Sequence, residues 1–303
     1  WLPVVITSTP QLKKSLHISL VNPTPWAAAF SPFTITKSIL FLGDVVGNSG
    51  CSKLMNNLLE QIKKKRIDFV IVNGENASEV GVGLTQEICE DFFKCGVNVI
   101  TTGNHVWDQK EIMNFIDKEN RLLRPKNLFE PSPGRGFEIY LTHNDLKVGV
   151  LNLMGNVFMK KSEDVFMTAK TFLEKYKLKK DYDFLVVDFH GEITSEKNAI
   201  GHFFDGFATL VVGTHTHIPT SDGRLLKNGT AYQTDAGMCG DYNSVIGMDK
   251  ENSLNRFLKK DSVKHFPAKG DATLSGVIVD CNIETGLANK IESYIFGSSL
   301  KNT

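Results

Sequence analysis

Two imidazoles at i and i+2, His215 and His217, follow directly on an apolar run, residues 208–213, that reads as a buried parallel strand. If extended backbone continues through Thr216, both rings point to one side. Neutral imidazoles that converge where a sheet opens to solvent are a metal-ligand arrangement. An isolated His-x-His could equally be a hydrogen-bonded surface pair, so its surroundings decide. Four further apolar runs end in the same manner. Residues 38–42 run into Gly43-Asp44, residues 68–72 into Asn73-Gly74-Glu75-Asn76, residues 97–102 into Gly103-Asn104-His105, and residues 184–187 into Asp188-Phe189-His190-Gly191-Glu192. In open α/β sheets, ligands bind in the crevice outside the carboxyl ends of the strands. Five strand ends carrying Asp, Glu, Asn and His make one site.

Asp44, Glu75, Asn104, His190, His215 and His217 offer a carboxylate that can bridge, an amide oxygen and three imidazoles. Hard oxygen mixed with borderline nitrogen suits a pair of first-row ions such as Fe, Mn or Zn. Such pairs sit about 3.5–4 Å apart and present a bridging hydroxide in line to phosphorus. The cluster has no Cys, which argues against a structural zinc site. No G-x-x-x-x-G-K-[ST] segment exists, so a P-loop is excluded. Taken singly, Asp44 or Asn104 could cap a turn and His190 could be a satisfied core histidine; together they point to chemistry. Asp188 could stand behind a ligand. Trp107 and Asp108 read as packing and a helix cap.

The elements that must carry these residues alternate strand and helix from Ser38 onward. Residues 57–65 end an amphipathic helix, with Lys63, Lys64 and Lys65 in its last turn. A second helix covers 85–93, capped by Thr85 and stopped by Gly96. A third is expected over 108–117. Residues 125–136, with three prolines and two glycines, are loop. A strand follows at 147–154, helices at about 169–176 and 195–204, then strands at 230–234 and 274–280. The economical architecture is a single layered α/β/β/α sandwich with two central mixed sheets, spanning 38–297, with a tail at 298–303.

The chain has 303 residues, 34 basic and 34 acidic side chains, and an ordinary globular composition. Residues 1–37 contain three lysines and no acid, so the remainder is mildly acidic. A duplex-DNA-binding protein would show a basic face. Five scattered cysteines, Cys51, Cys89, Cys95, Cys239 and Cys281, form no C-x-x-C; reduced thiols in a cytoplasmic protein are the expectation. No apolar stretch reaches the length of a membrane span. Residues 1–37 hold five of the ten prolines and are rich in Ser and Thr. An acid-poor leader could be a targeting peptide, but it lacks Arg, and a disordered extension or mis-assigned start is expected instead.

The ordered blocks resemble the calcineurin-like metallophosphoesterase superfamily and, within it, the bacterial YmdB-like phosphodiesterases. The blocks are Gly43-Asp44-Val45-Val46-Gly47, Asn73-Gly74-Glu75-Asn76-Ala77, Thr102-Gly103-Asn104-His105-Val106-Trp107-Asp108, Asp188-Phe189-His190 with Thr194-Ser195-Glu196-Lys197, Gly213-Thr214-His215-Thr216-His217, and late segments at 234–238 and 244–248. The resemblance covers about 38–297. It implies that Asp44, Glu75, Asn76 and His217 hold one metal. It also implies that Glu75, Asn104, His190 and His215 hold the other, and that His105 is the general acid. Val46 stands where superfamily members usually offer the histidine of an Asp-x-His at the first strand, a departure the YmdB-like group shares and meets with Asn76. Gly191 is small for its place, which points to a looser pocket wall. The implied activity is hydrolysis of cyclic nucleotides, 2′,3′- or 3′,5′-linked. Rival readings are a phosphomonoesterase or nuclease on the same centre, or a regulatory protein partnering RNA-processing machinery. A homo-oligomer is compatible with all of them.

Overall fold

A computed structural model describes residues 36–259 and 265–303; of the expected N-terminal extension, all but Thr36 and Lys37 lies outside the described residues. The first sheet runs in the order β14 (Ala288–Phe296), β13 (Leu274–Asn282), β1 (Thr36–Leu42), β3 (Phe69–Asn73), β4 (Val99–Thr101), β5 (Leu122–Leu123). β1 pairs antiparallel with β13 and parallel with β3. The second sheet runs β10 (Arg224–Leu225), β11 (Ala231–Gln233), β9 (Leu210–Thr214), β8 (Phe184–His190), β7 (Lys147–Met154), β6 (Phe137–Leu141). Its central pairs are parallel and its edges antiparallel. A two-stranded pair, β2 (Asp44–Val45) with β12 (Met238–Cys239), completes the strands among the described residues.

The apolar runs are continuous because both faces of these strands are buried. In β1, Ile39 and Phe41 pack into a core shared with Val148, Val150, Phe184 and Val186 of the second sheet. Leu40 and Leu42 point the other way, onto Leu54, Leu58 and Phe92 of helices α1 (Gly47–Lys65) and α2 (Gln86–Lys94). On the far side, Leu151, Leu153, Leu185 and Val187 meet Phe172 of α3 (Val165–Lys175) and Ile200 of α4 (Thr194–Phe203). The expected α/β/β/α layering is therefore built by side-chain alternation alone. A fifth helix, α5 (Lys250–Phe257), follows the second sheet. Residues 298–303 turn back along β14, with Thr303 N–H donating to Ile295 O at 3.1 Å.

Three local readings can be compared directly. Thr85 caps α2, its Oγ1 accepting from Ile88 N–H at 3.3 Å, and Gly96 follows at φ +103°. The helix expected over 108–117 is instead a 3₁₀ turn, Lys110–Asn114. Asp108 does not cap it, because its carboxylate is engaged by His105 and Lys160. Gln109 enters the turn with its amide pinned to Val82 O at 2.8 Å.

Candidate metal centre

The parallel strands β1, β3 and β4 of one sheet and β8 and β9 of the other release their chains at the same end of the sandwich. Cross-sheet hydrogen bonds register those ends. Asp188 of β8 accepts from Asn73 Nδ2 at 2.9 Å and Thr101 Oγ1 at 2.5 Å, both from the opposite sheet. Asp188 is fully buried, and burial raises its carboxyl to about 6.

Three of the expected oxygen ligands are each held by one atom and leave the other without a partner. Asp44 Oδ2 accepts the His215 N–H at 3.1 Å, and Glu75 Oε2 the His105 N–H at 3.0 Å. Asn76 Nδ2 donates to Gly81 O at 3.0 Å. Asp44 Oδ1, Glu75 Oε1 and Asn76 Oδ1 are buried with no hydrogen-bond partner. Buried oxygens in that condition are costly unless a cation meets them.

The imidazoles show the complementary pattern: one ring nitrogen bonded to an outer acceptor, the other turned toward the ligands. His190 Nδ1 lies 3.0 Å from Thr214 Oγ1, whose own proton goes to Asp188 Oδ1 at 2.7 Å. The hydroxyl therefore accepts from Nδ1–H, and Nε2 is the nitrogen turned toward the other ligands. His217 Nδ1 donates to Ile246 O at 2.7 Å. His215 Nε2 stands 3.1 Å from Glu192 Oε2.

Nε2 of His190 faces Asn104 Oδ1 at 2.9 Å, Glu75 Oε1 at 3.0 Å and His215 Nδ1 at 3.1 Å. A proton on Nε2 can serve only one of these three neighbours, whereas a metal ion would engage all four atoms. Glu75, His190 and His215 offer ligand atoms within 4.8 Å of one another. Asp44 Oδ1 stands 3.9 Å from His217 Nε2. The Glu75, His190 and His215 donors fit a metal ion. The electrostatics agree: burial lowers the His190 imidazole, but Glu75, Asp44 and Asp188 outweigh it and raise it overall. Burial, then the neighbouring His190, pushes His215 down to about 3. Burial raises Asp44, whereas at Glu75 the His190 and His105 charges overcome burial and lower it.

All eight residues singled out in the sequence thus stand at this end of the sandwich, but not all by the expected route. β9 stops at Thr214, and His215 and His217 sit at φ +100° and +67°. Extended backbone through Thr216 is therefore not what brings the two rings together. Backbone donors that would otherwise continue a ladder are taken by carboxylates, His215 N–H by Asp44 and Thr216 N–H by Asp235. Asp235 Oδ2 also accepts from Thr216 Oγ1 at 2.8 Å and from Lys197 Nζ at 2.6 Å, an ion pair in which both side chains are 1% exposed. The adjacent Glu196 accepts the Asn156 and Val157 N–H groups at 2.9 and 3.3 Å. The first turn of α4 therefore fixes two loops of the site at once.

His105 projects beside the ligands with Nδ1 at 2.6 Å from Asp108 Oδ2. Gly103 allows this crowding: a Cβ there would meet His190 at 2.3 Å and Glu75 at 2.4 Å. The looser wall expected at Gly191 is not found, because a Cβ there would stand 2.8 Å from the Phe189 ring. Sequence reasoning missed Thr214, Glu192, Asp235 and the Ile246 carbonyl as partners of the ligands. Only Asp188 carried a signal, its place two residues before His190.

A model of the YmdB-like protein family matches residues 40–294. A 2′,3′-cyclic-nucleotide 2′-phosphodiesterase of Bacillus subtilis is 43% identical over 254 residues, 84% of this chain and 95% of the relative. The crystal structure of a phosphatase from Mycoplasma pneumoniae superposes with TM-score 0.80 at 36% identity, covering 87% of this chain and 94% of that one. A hypothetical protein from Thermus thermophilus superposes with TM-score 0.79, also at 36% identity, covering 86% and 99%.

Proposed function

The chain belongs to the YmdB-like family and is a hydrolase acting on phosphoric esters, and we propose that it is a dinuclear phosphodiesterase of cyclic nucleotides. Asp44, Glu75, Asn76 and His217 would hold one first-row ion, iron, manganese or zinc. Glu75, Asn104, His190 and His215 would hold the other, with Glu75 shared. The observation that carries the reading is the set of three buried, unpartnered oxygens on Asp44, Glu75 and Asn76 beside imidazoles whose outer nitrogens are occupied. The 2′,3′-cyclic-nucleotide activity named for the Bacillus subtilis relative supports the substrate class.

When bound, the ions supply an activated water and positive charge against the phosphoryl oxygens. The chain's own part is positional and acid–base. Asp44, Glu75 and Asn76 are locked by a backbone N–H or carbonyl, so they need no reorganisation when the substrate arrives. Asp108 holds Nδ1 of His105 and leaves Nε2 to give a proton to the departing ribose oxygen. Lys197 and Asp235 keep the loop of His215 and His217 in its turned conformation.

The test is metal analysis together with hydrolysis of bis-p-nitrophenyl phosphate, 2′,3′-cAMP and p-nitrophenyl phosphate by protein supplied with Mn or Fe. About two ions per chain with turnover of both diesters is expected. Folded protein that binds no metal and turns over neither would end the enzyme reading. Turnover of p-nitrophenyl phosphate alone would transfer it to a phosphomonoesterase.

A further inference from the structure

A cavity of about 180 Å³ opens beside Asn104 and Gly103, with Trp107 and Phe129 on its walls. We propose that it is a nucleobase subsite, in which the base of the cyclic nucleotide is held against Trp107 and Phe129 while its phosphate lies at the metal centre. The inference rests on the phosphodiesterase reading and adds to it what the site recognises beyond phosphorus.

The cavity's position follows from the reaction's geometry. Water forms the new bond to phosphorus, the bond from phosphorus to a ribose oxygen breaks, and that oxygen takes the proton of His105. In a cyclic nucleotide the departing oxygen stays on the ribose, which carries the base. Ribose and base therefore fall on the His105 side of the phosphorus. The cavity lies on that side. Trp107 is two residues beyond His105, and Lys160, also on its wall, pairs at 3.3 Å with the same Asp108 that holds His105.

Its chemistry fits a flat aromatic ligand. Trp107 and Leu128 are anchored by packing against the core over α1 and α2, and Met154 is fully buried at the end of β7. Phe129, on the same wall, is 52% exposed, so its ring is open to a ligand entering the cavity. The volume is below that of a pocket for a whole drug-sized ligand, so it suits one ring system rather than a nucleotide. Aromatic walls read the face of a base rather than its hydrogen-bonding edge, so A, G, C and U are all accepted. A larger cavity, about 700 Å³, between the start of α1 and residues 265–272 touches none of the eight site residues.

The experiment compares kcat/KM for 2′,3′-cAMP with that for glycerol 1,2-cyclic phosphate, a five-membered cyclic diester without a base. It uses wild type, Phe129→Ala and Trp107→Leu, each with its metal content and melting curve measured. Wild type prefers the nucleotide, and Phe129→Ala lowers that preference about tenfold. Trp107→Leu lowers it further; because Trp107 also packs the core, Phe129→Ala decides the matter if that variant unfolds. An equal rate on both diesters in wild type, or an unchanged preference in metal-loaded Phe129→Ala, overturns the subsite and leaves the phosphodiesterase standing. No turnover of either diester by the loaded wild type removes the phosphodiesterase reading and the subsite with it.

Discussion

Glu75 Oε1 and His190 Nε2 stand 3.0 Å apart in a space closed to solvent, with Asn104 Oδ1 and His215 Nδ1 crowding the same nitrogen. A metal ion among these atoms would engage all of them, where a proton on Nε2 can serve only one. Glu75→Gln keeps the shape of the side chain but removes its charge. The variant is expected to hold fewer than one ion per chain by elemental analysis and to lose at least about 100-fold in diester hydrolysis. Chelation should lower the melting temperature of wild type and leave the variant's nearly unmoved, since only a ligand bound to the native state stabilises it. A variant with two ions would show that Glu75 is not the shared ligand.

His105 touches the ligands through its backbone, not its ring. His105→Ala should therefore retain the full metal complement while kcat falls about 10²–10⁴-fold, the range for losing a general acid. Asp108→Asn, which keeps the size of the side chain that holds Nδ1, should cost about tenfold and spare metal content. Loss of metal in either variant would move these residues from proton transfer to metal binding.

Lys197 and Asp235 form an ion pair with no access to water. Lys197→Met leaves Asp235 charged and uncompensated, at a cost of about 3–5 kcal/mol in urea unfolding. Adding Asp235→Asn removes the stranded charge. The double variant should then lose less than the sum of the two single losses. Additive losses would mean that the two side chains act independently.

Asp222 ties the segment after His217 to the end of β11. Burial alone would raise its carboxyl, but hydrogen bonds from the Thr220 and Thr234 hydroxyls, from Thr234 N–H and from Arg224 outweigh it and hold it below the usual carboxylate value. A depressed folded-state pKa contributes stability that is present above the unfolded value, near about 3.9, and lost as pH falls through the folded value. The stability gap between wild type and Asp222→Asn should be full at about pH 6 and shrink below about pH 4. A gap that widens on acidification would contradict the sign.

The strand ends were legible because buried parallel strands leave uninterrupted apolar runs, and a polar residue at the end of such a run stands out. Asp44, Glu75, Asn104 and His190 were found in that way. The turn that delivers His215 and His217 was not legible. The backbone of that turn is held by Asp44 and Asp235, which lie 171 positions before His215 and 19 after Thr216 in the chain. The partners that orient the imidazoles were hidden for the same reason. Thr214 and Glu192 look like any strand or loop residue until His190 and His215 are placed against them. Asp108 read as a helix cap because its sequence neighbourhood suits one, and only proximity to His105 and Lys160 gives it another task.

Asp44, Glu75, Asn76 and Asn104 leave one sheet, and His190, His215 and His217 leave the other. A metal ion held by both sets would therefore rivet two leaves of the sandwich that elsewhere adhere mainly through apolar contact. Splaying the leaves at that end would then require releasing the metal first. The centre should then set the pace of opening at the rim where substrate enters, so that the catalyst is also the hasp on its own door.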